Sequence, residues 1–340
     1  MNRTLKLEEE LKGVHSIGIA GHIRPDGDAV GSCLGLYLYL SENYPELAVQ
    51  VYLEDFPKSF MMLKGTETIS HEFHADAPHD LFIALDCADE KRLGNALPLL
   101  QNAKHTLCID HHISNIGFAD ANDIRPDASS TSEIVADMLD ESKISQEAAE
   151  ALYMGIVHDT GVFRHSCTSP ETLEVAAKLM RKGVRCNKII NDTYYDKTYY
   201  QNQILGRALL ESVLLLDGKI IFSAVRQKEM SFYGVGPSDL EGIVQQLMGT
   251  VGVETAIFLY ETAPQQFKVS LRSREKVDVS EIASYFGGGG HVRAAGCTMQ
   301  GSVYDVVNNI TYHIEKAALR RKTVTDGIIN VYKERGLYLP

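Results

Sequence analysis

A chain of 340 residues with 44% hydrophobic and 23% charged residues fits a soluble globular protein of two ordinary domains, each with its own core. Its net charge of −12 argues against a broad basic surface gripping long nucleic acid. A nucleotide or very short oligomer stays open, because a divalent metal or a local arginine cluster reverses the sign in one pocket. No apolar run approaches the roughly 20 residues needed to span a bilayer. The acidic Glu8-Glu9-Glu10 stands where a signal peptide needs a basic segment and then an apolar one. Six cysteines without a C-x-x-C pair argue for reduced thiols, so a cytoplasmic protein without membrane contact is expected.

Taken in chain order, residues 14–20 read as a compact apolar strand ending at Gly21, and 29–40 as a helix. Residues 48–53, 81–85 and 106–109 are further short strands, and helical patterns recur over 131–139, 146–157 and 170–182. Strands alternating with helices imply an α/β fold with a mostly parallel sheet. The polar, tyrosine-rich stretch 191–203 reads as a connector, with a helix-like run to Leu215. Residues 219–225, 254–261 and 267–273 then look like strands of a smaller α+β domain containing Gly287-Gly288-Gly289-Gly290-His291. The expected division is a catalytic domain over 1–190, a connector over 191–215, a substrate-binding domain over 216–325 and a tail over 326–340.

In parallel sheets of this class, ligands collect outside the carboxyl ends of the strands. The polar clusters fall there: His22, Asp26 and Asp28 after the first strand, Asp86 after the third, and Asp110-His111-His112 after the fourth. Asp159 follows the helical run 146–157. Each has a bland reading when taken alone. The first is an Asx-rich turn with Asp28 as helix N-cap, Asp86 a solvated strand end, the Asp-His-His triplet a satisfied polar cluster, and Asp159 the start of a turn. Together the bland readings require four element ends to gather carboxylates and imidazoles by accident at one edge of a sheet.

A histidine and carboxylate set without cysteine suits Mn²⁺, or Mg²⁺. Four carboxylates (Asp26, Asp28, Asp86, Asp159) with two or three imidazoles are too many for one ion with open positions. The count therefore favours two ions about 4 Å apart, bridged by a carboxylate and sharing a nucleophilic hydroxide, a device for phosphate-ester hydrolysis.

In the second domain Ser270, Arg272 and Arg274 alternate along a strand-like segment and are expected to share one face. Such a face is commonly just a solvated charged surface, but Arg272 can bind a phosphate bidentately. Consecutive glycines let backbone amides approach an anion closely.

The ordered set His22-x-x-x-Asp26-x-Asp28-Ala29-x-Gly31-Ser32, Asp86, Asp110-His111-His112 and Asp159-Thr160-Gly161 resembles the DHH phosphoesterase superfamily. Gly287-Gly288-Gly289-Gly290-His291, followed by Ala294-Ala295-Gly296, looks like the signature of the associated DHHA1 domain. Length and layout look most like the nanoRNase/pAp-phosphatase branch.

That resemblance implies hydrolysis of short oligoribonucleotides to nucleoside 5′-monophosphates and dephosphorylation of 3′-phosphoadenosine-5′-phosphate (pAp), with Mn²⁺ preferred. Carried onto this chain, His22, Asp26 and Asp86 would hold one ion. Asp28, Asp86, His111 and Asp159 would hold the other, His112 would face the scissile phosphate, and Asp110 would orient the histidines. Arg272, Gly288, Gly289, Gly290 and His291 would contact substrate across an interdomain cleft. Cys167 departs from the asparagine that family members often carry at that place.

Alternatives are a phosphodiesterase for linear or cyclic dinucleotides (pApA, cyclic di-AMP), an inorganic pyrophosphatase, or a catalytically silent nucleotide-binding regulator. The last would be expected to have lost a ligand, and none is missing. A homodimer is left open.

Overall fold

Residues 6–317 are described in the computed structural model, so the tail expected over 326–340 lies outside the described residues. The chain divides into two units, the first ending at Asp196 and the second beginning at Lys197. In chain order the first unit holds α1 (Leu7–Glu10), β1 (Ser16–Ala20), α2 (Gly27–Asn43), β2 (Ala48–Tyr52), β3 (Leu81–Leu85), α3 (Leu97–Asn102) and β4 (His105–Asp110). It continues with β5 (Ala121–Ile124), α4 (Thr131–Met138), α5 (Gln146–Asp159), α6 (Pro170–Arg181) and α7 (Cys186–Ile190).

Its strands form one all-parallel sheet in the order β2-β1-β3-β4-β5. The central strand β3, Leu-Phe-Ile-Ala-Leu, is buried at every position, which is why it is apolar throughout instead of alternating. Adjacent strands β1, β3 and β4 run the same way, so their carboxyl ends deliver His22, Asp86 and Asp110-His111-His112 to the same edge. The edge strand β5 is not among the expected strands. Its four residues are only partly buried and include Asn122 and Asp123, so no apolar run marks it.

Helices α2 and α5 cross at glycines. A methyl group on Gly31 would come within 2.5 Å of the Ala151 carbonyl, and one on Gly155 within 2.7 Å of Asp28 Oδ1. Close crossing brings the end of α5, and with it Asp159, to the loop that starts α2. The helix begins at Gly27, and its N-cap is Asp26, whose side chain accepts from the amides of Asp28 and Ala29. Asp28, the cap in the bland reading of this loop, instead lies in the first turn with its side chain inside the protein.

The second unit contains α8 (Tyr199–Leu210), β6 (Val213–Leu215), β7 (Ile220–Val225), α9 (Gln227–Tyr233), α10 (Ile243–Met248) and β8 (Thr255–Ala263). After these come β9 (Gln266–Ser273), α11 (Val279–Tyr285), β10 (Gly289–His291), β11 (Ala294–Gln300) and helical residues 303–317. The mixed sheet has the order β10-β11-β9-β8-β7-β6, with only β7 and β8 parallel. Alternating residues of β8 serve two cores. Ile257 and Leu259 pack with α11 and the closing helix, while Ala256 and Phe258 pack with α8 and α10.

The helical run expected to reach Leu215 stops at Leu210, because Val213–Leu215 pairs antiparallel with β7 through a turn at Leu216, Asp217 and Gly218. Three apolar residues fit either element, and the pairing partner decides. Among the described residues no helix is long and apolar enough to cross a membrane.

Two glycines give opposite expectations. Gly31→Ala forces backbone apart at the α2–α5 crossing and should destabilise by about 1–3 kcal/mol. Gly206→Ala, in a helix with nothing within 4 Å of the added methyl, should stabilise by about 0.5–1 kcal/mol. Urea unfolding of both variants checks the signs, and a stable Gly31→Ala protein would contradict the crossing.

Candidate active site

The loop from Gly21 to Gly27 fixes the first three side chains. The Ile23 amide donates to the Arg92 carbonyl (2.7 Å) and the Arg24 amide to Glu54 Oε2 (2.9 Å), tying the loop down on both sides. His22 is buried, and its Nδ1 meets the Ile23 carbonyl at 2.8 Å. Nε2 is thereby turned toward Asp26 Oδ2 (3.6 Å) and Asp86 Oδ2 (3.5 Å). Asp26 spends one oxygen on capping α2, which leaves the other facing His22. Burial opposes its charge, but the His22 imidazole and the capping amides hold its carboxyl down at about 2.

Asp86 follows the last residue of β3 with φ of +57°, a left-handed conformation costing about 1–3 kcal/mol for a residue with a side chain. Its amide donates to the Ile109 carbonyl of β4, extending the strand pairing by one step. The carboxylate is almost fully buried and divides its oxygens. Oδ2 faces His22, while Oδ1 faces His111 Nε2 at 3.5 Å and accepts from Thr131 Oγ1 at 3.2 Å.

His111 Nε2 also lies 3.1 Å from Asp159 Oδ2. Burial disfavours a charged imidazole here, but the hydrogen bonds to Asp159 and Asp86 and the nearby Asp28 push it up to about 12. His112 Nδ1 lies 2.8 Å from Asp110 Oδ1 and 3.7 Å from Asp86 Oδ1. The bond to Asp110 raises its pKa against the opposing effect of burial.

Asp28 is fully buried. Its Oδ2 accepts from the Thr131 amide (2.6 Å) and its Oδ1 from the Ser132 amide (2.9 Å), so the N-terminus of α4 points at it. Burial, with Asp86 and Asp159 nearby, pushes its carboxyl well up.

Among the described residues, three groups of side chains could hold a metal ion: His22, Asp26 and Asp86; Asp28, His111 and Asp159; and Asp86, His111 and His112. Within each group one ligand atom per residue lies within 4.8 Å of the others. The donors are oxygens and imidazole nitrogens, the set expected for Mn²⁺ or Mg²⁺. The six side chains expected to ligate, and the histidine expected to face substrate, are thus gathered at one edge of the sheet.

Sequence reasoning misses Thr131 and Ser132. The Ser130-x-x-Glu133 spacing marks a helix start, with the Ser130 side chain accepting from the Glu133 amide, but not which anion that start would face. It also misses Asn115, a buried amide touching Asp110. After Asp159, Gly161, Val162 and Phe163 all have φ between +55° and +61°, and the Phe163 amide donates to Thr160 Oγ1. Cys167 is exposed, and its thiol reaches the Asp159 backbone carbonyl at 3.8 Å.

In the second unit Arg272 pairs with Ala294, which in turn pairs with His291, so Arg272 and His291 occupy one row across β9, β11 and β10. Opposed residues share a face, and two strand spacings separate these side chains by about 10 Å. Arg274 leaves that row: its guanidinium donates to the carbonyls of Val253 (2.7 Å), Met248 (2.6 Å) and Thr250 (3.3 Å), a structural tie beyond α10. The glycines also differ. A methyl on Gly288 would lie 2.1 Å from the Gly296 carbonyl, and one on Gly290 2.5 Å from that of Ala294, so the hairpin itself needs both. Gly289 has nothing within 4 Å.

The model of the DHH family, N-terminal domain, matches residues 16–156, and that of the DHHA1 domain matches residues 217–318. The chain is 32% identical over 296 residues to a bifunctional oligoribonuclease and PAP phosphatase NrnA of Thermus thermophilus, covering 86% of this chain and 87% of the relative. A protein of the same name from Bacillus subtilis is 28% identical over 283 residues, covering 82% and 87%. Among solved structures, an exopolyphosphatase-related protein of Bacteroides fragilis is similar with a TM-score of 0.86 at 27% identity, over 93% of this chain and 96% of that one.

The Asp110–His112 bond makes one prediction for metal-free protein. Asp110→Asn should lower the pKa at which His112 titrates, because it removes the anion holding the proton and leaves the burial. An NMR titration of the ring carbons reads this out, and an unmoved His112 would contradict it.

Proposed function

Because the chain belongs to the DHH family and carries a DHHA1 domain, we propose that it is a Mn²⁺-dependent phosphoesterase acting on very short RNA and pAp. It releases nucleoside 5′-monophosphates from the RNA and removes the 3′-phosphate of pAp. One observation carries the reading: the buried Asp86 presents one oxygen to the His22–Asp26 group and the other to His111, beside Asp28 and Asp159. A bridging carboxylate between two ligand groups is the arrangement two divalent ions need. The names of the Thermus and Bacillus relatives support the substrate class.

His22, Asp26 and Asp86 would hold one ion, and Asp28, Asp86, His111 and Asp159 the other. When bound, such ions supply Lewis acidity and a nucleophilic hydroxide at neutral pH. The chain's own residues do the rest. Asp110 fixes the His112 ring through Nδ1, and Nε2 makes no hydrogen bond among the described residues, which suits it to a phosphate oxygen. The pairing with Asp110 raises the His112 pKa, which favours a ring that can give a proton from Nε2 to the leaving oxygen. Arg272, with His291 in its row and Gly289 unobstructed, binds a second phosphate or the sugar-phosphate backbone. One arginine-bearing row instead of a basic surface suits an acidic protein to short substrates.

Two outcomes test this. With Mn²⁺ and a labelled dinucleotide, Asp86→Asn and His111→Ala should lose turnover by a factor on the order of 10³. Wild-type-like rates in either would sink the two-ion assignment, while a panel of dinucleotide, pAp, cyclic dinucleotide and pyrophosphate separates the substrate readings.

Binding of Mn²⁺ should also release protons. The His111 imidazole, held up to about 12 in the metal-free cluster, is protonated at neutral pH and must lose its proton to ligate. Affinity should therefore rise with pH, about tenfold per pH unit for each proton released. Calorimetry at pH 7 in two buffers of different ionisation enthalpy measures the release, and zero net release would contradict ligation by a His111 that is protonated in the metal-free cluster.

A further inference from the structure

The side-chain amide of Asn115 is used by three segments of the site at once. Its Nδ2 donates to Asp110 Oδ2 (2.8 Å) and to the Cys87 carbonyl (2.9 Å), and lies 3.4 Å from Cys108 Sγ. Its Oδ1 accepts from the Gly117 amide (2.8 Å), and its own amide donates to the His112 carbonyl (3.0 Å). The orientation is unambiguous, because a carboxylate and a carbonyl can only accept and a backbone amide can only donate. The side chain is buried, so the Cys87 carbonyl and Asp110 Oδ2 would lose this buried donor without it.

The two main acceptors are the ones that matter for the site. Cys87 directly follows Asp86, whose left-handed backbone has to be held by its surroundings. Anchoring the Cys87 carbonyl fixes the chain immediately after that strained residue. Asp110 carries His112 on its other oxygen. One amide therefore links the bridging carboxylate to the histidine that faces substrate, across the ends of β3 and β4.

We infer that Asn115 is a positioning residue that sets Asp86 and His112 in a single geometry, an inference that rests on the proposed metal-dependent phosphoesterase reading. The test uses the full chain with Asn115→Asp, which keeps the shape but replaces the donor with an acceptor, and Asn115→Ala. Asn115→Ser retains one donor and carries the test if the first two do not fold. Val175→Ala, in the α6 packing, supplies a destabilised control. Three quantities are read: kcat and KM on a dinucleotide, affinity for Mn²⁺ alone, and the ¹⁵N pattern of the His112 ring in metal-free protein.

Loss of kcat and of Mn²⁺ affinity by about 10–100-fold is expected for Asp and Ala, with KM changed by less than about threefold and partial recovery in Ser. The His112 ring pattern should change in the Asn115 variants and stay fixed in Val175→Ala. Folded Asn115 variants with wild-type kcat, Mn²⁺ affinity and ring pattern would overturn the inference. So would a control that loses as much as they do. If wild-type protein neither binds Mn²⁺ nor cleaves the dinucleotide, the functional reading has failed. The ring pattern then decides alone: a shift supports Asn115 as the positioning residue, and no shift overturns it.

Discussion

Asp26, Asp28, Asp86 and Asp159 crowd their carboxylates into one small volume, and Asp28 and Asp86 are almost completely withdrawn from water. Burying one unpaired carboxylate costs several kcal/mol, and neighbouring like charges add to it. Much of the first unit can be understood as compensation for that crowding. Two helices aim their N-termini at it: α2 through the amides that Asp26 caps, and α4 through the amides of Thr131 and Ser132 on Asp28. Charge-assisted bonds of this kind contribute about 1.5–3 kcal/mol each. His111 supplies a positive charge between Asp86 and Asp159. On the proposed reading a bound ion would replace that proton, and the cluster would then be neutralised by a cation of one kind or another.

The same constraint reaches into the helix packing. For α4 to serve Asp28 and α5 to carry Asp159, both must come close to α2. Gly31 and Gly155 let backbones approach where any side chain would collide with Ala151, Ser132 or Asp28 itself. The glycines of Asp28-Ala29-x-Gly31 and of residue 155 are thus part of the electrostatic arrangement as well as of the core. Strain is stored in the same region, at Asp86 and in the left-handed run Gly161-Val162-Phe163. Each strained segment adjoins a carboxylate of the cluster, and each is held by hydrogen bonds from a neighbouring element or residue.

The strand ends are legible in the sequence because a fully buried parallel strand is an unbroken apolar run, and whatever polar residue follows it stands out. His22, Asp86 and Asp110-His111-His112 are conspicuous for that reason. Asn115, Thr131 and Ser132 are not legible. Each is a common polar residue whose meaning depends on a partner distant in sequence, as Thr131 on Asp28, 103 residues away. The short strands β5, β6 and β10 escape for a related reason. Three or four residues, partly or wholly exposed, carry no period, and only their pairing partners make them strands. Even the N-cap of α2 is ambiguous in sequence, because Asp26 and Asp28 are both good caps and the direction of the buried side chain decides between them.

Arg272 and Arg274 show how far such reading goes on the second unit. Two residues apart, they are interchangeable as a pattern. Arg274 is tied by three backbone carbonyls, a fixed structural arrangement. Arg272 makes one side-chain hydrogen bond, to the Leu271 carbonyl, and no ion pair within 4 Å among the described residues; burial lowers its pKa, and the Glu241 carboxylate opposes that from a distance. A guanidinium has five donors in a fixed fork, and leaving most of them unpaired in a partly dry setting is unfavourable. An arriving phosphate relieves that cost, whereas it would have to compete with three existing bonds at Arg274. On the proposed reading Arg272, not Arg274, would therefore be the group to gain from an anion. Its cross-strand alignment with His291, beside a glycine whose space nothing else fills, would give such an anion a defined place to bind.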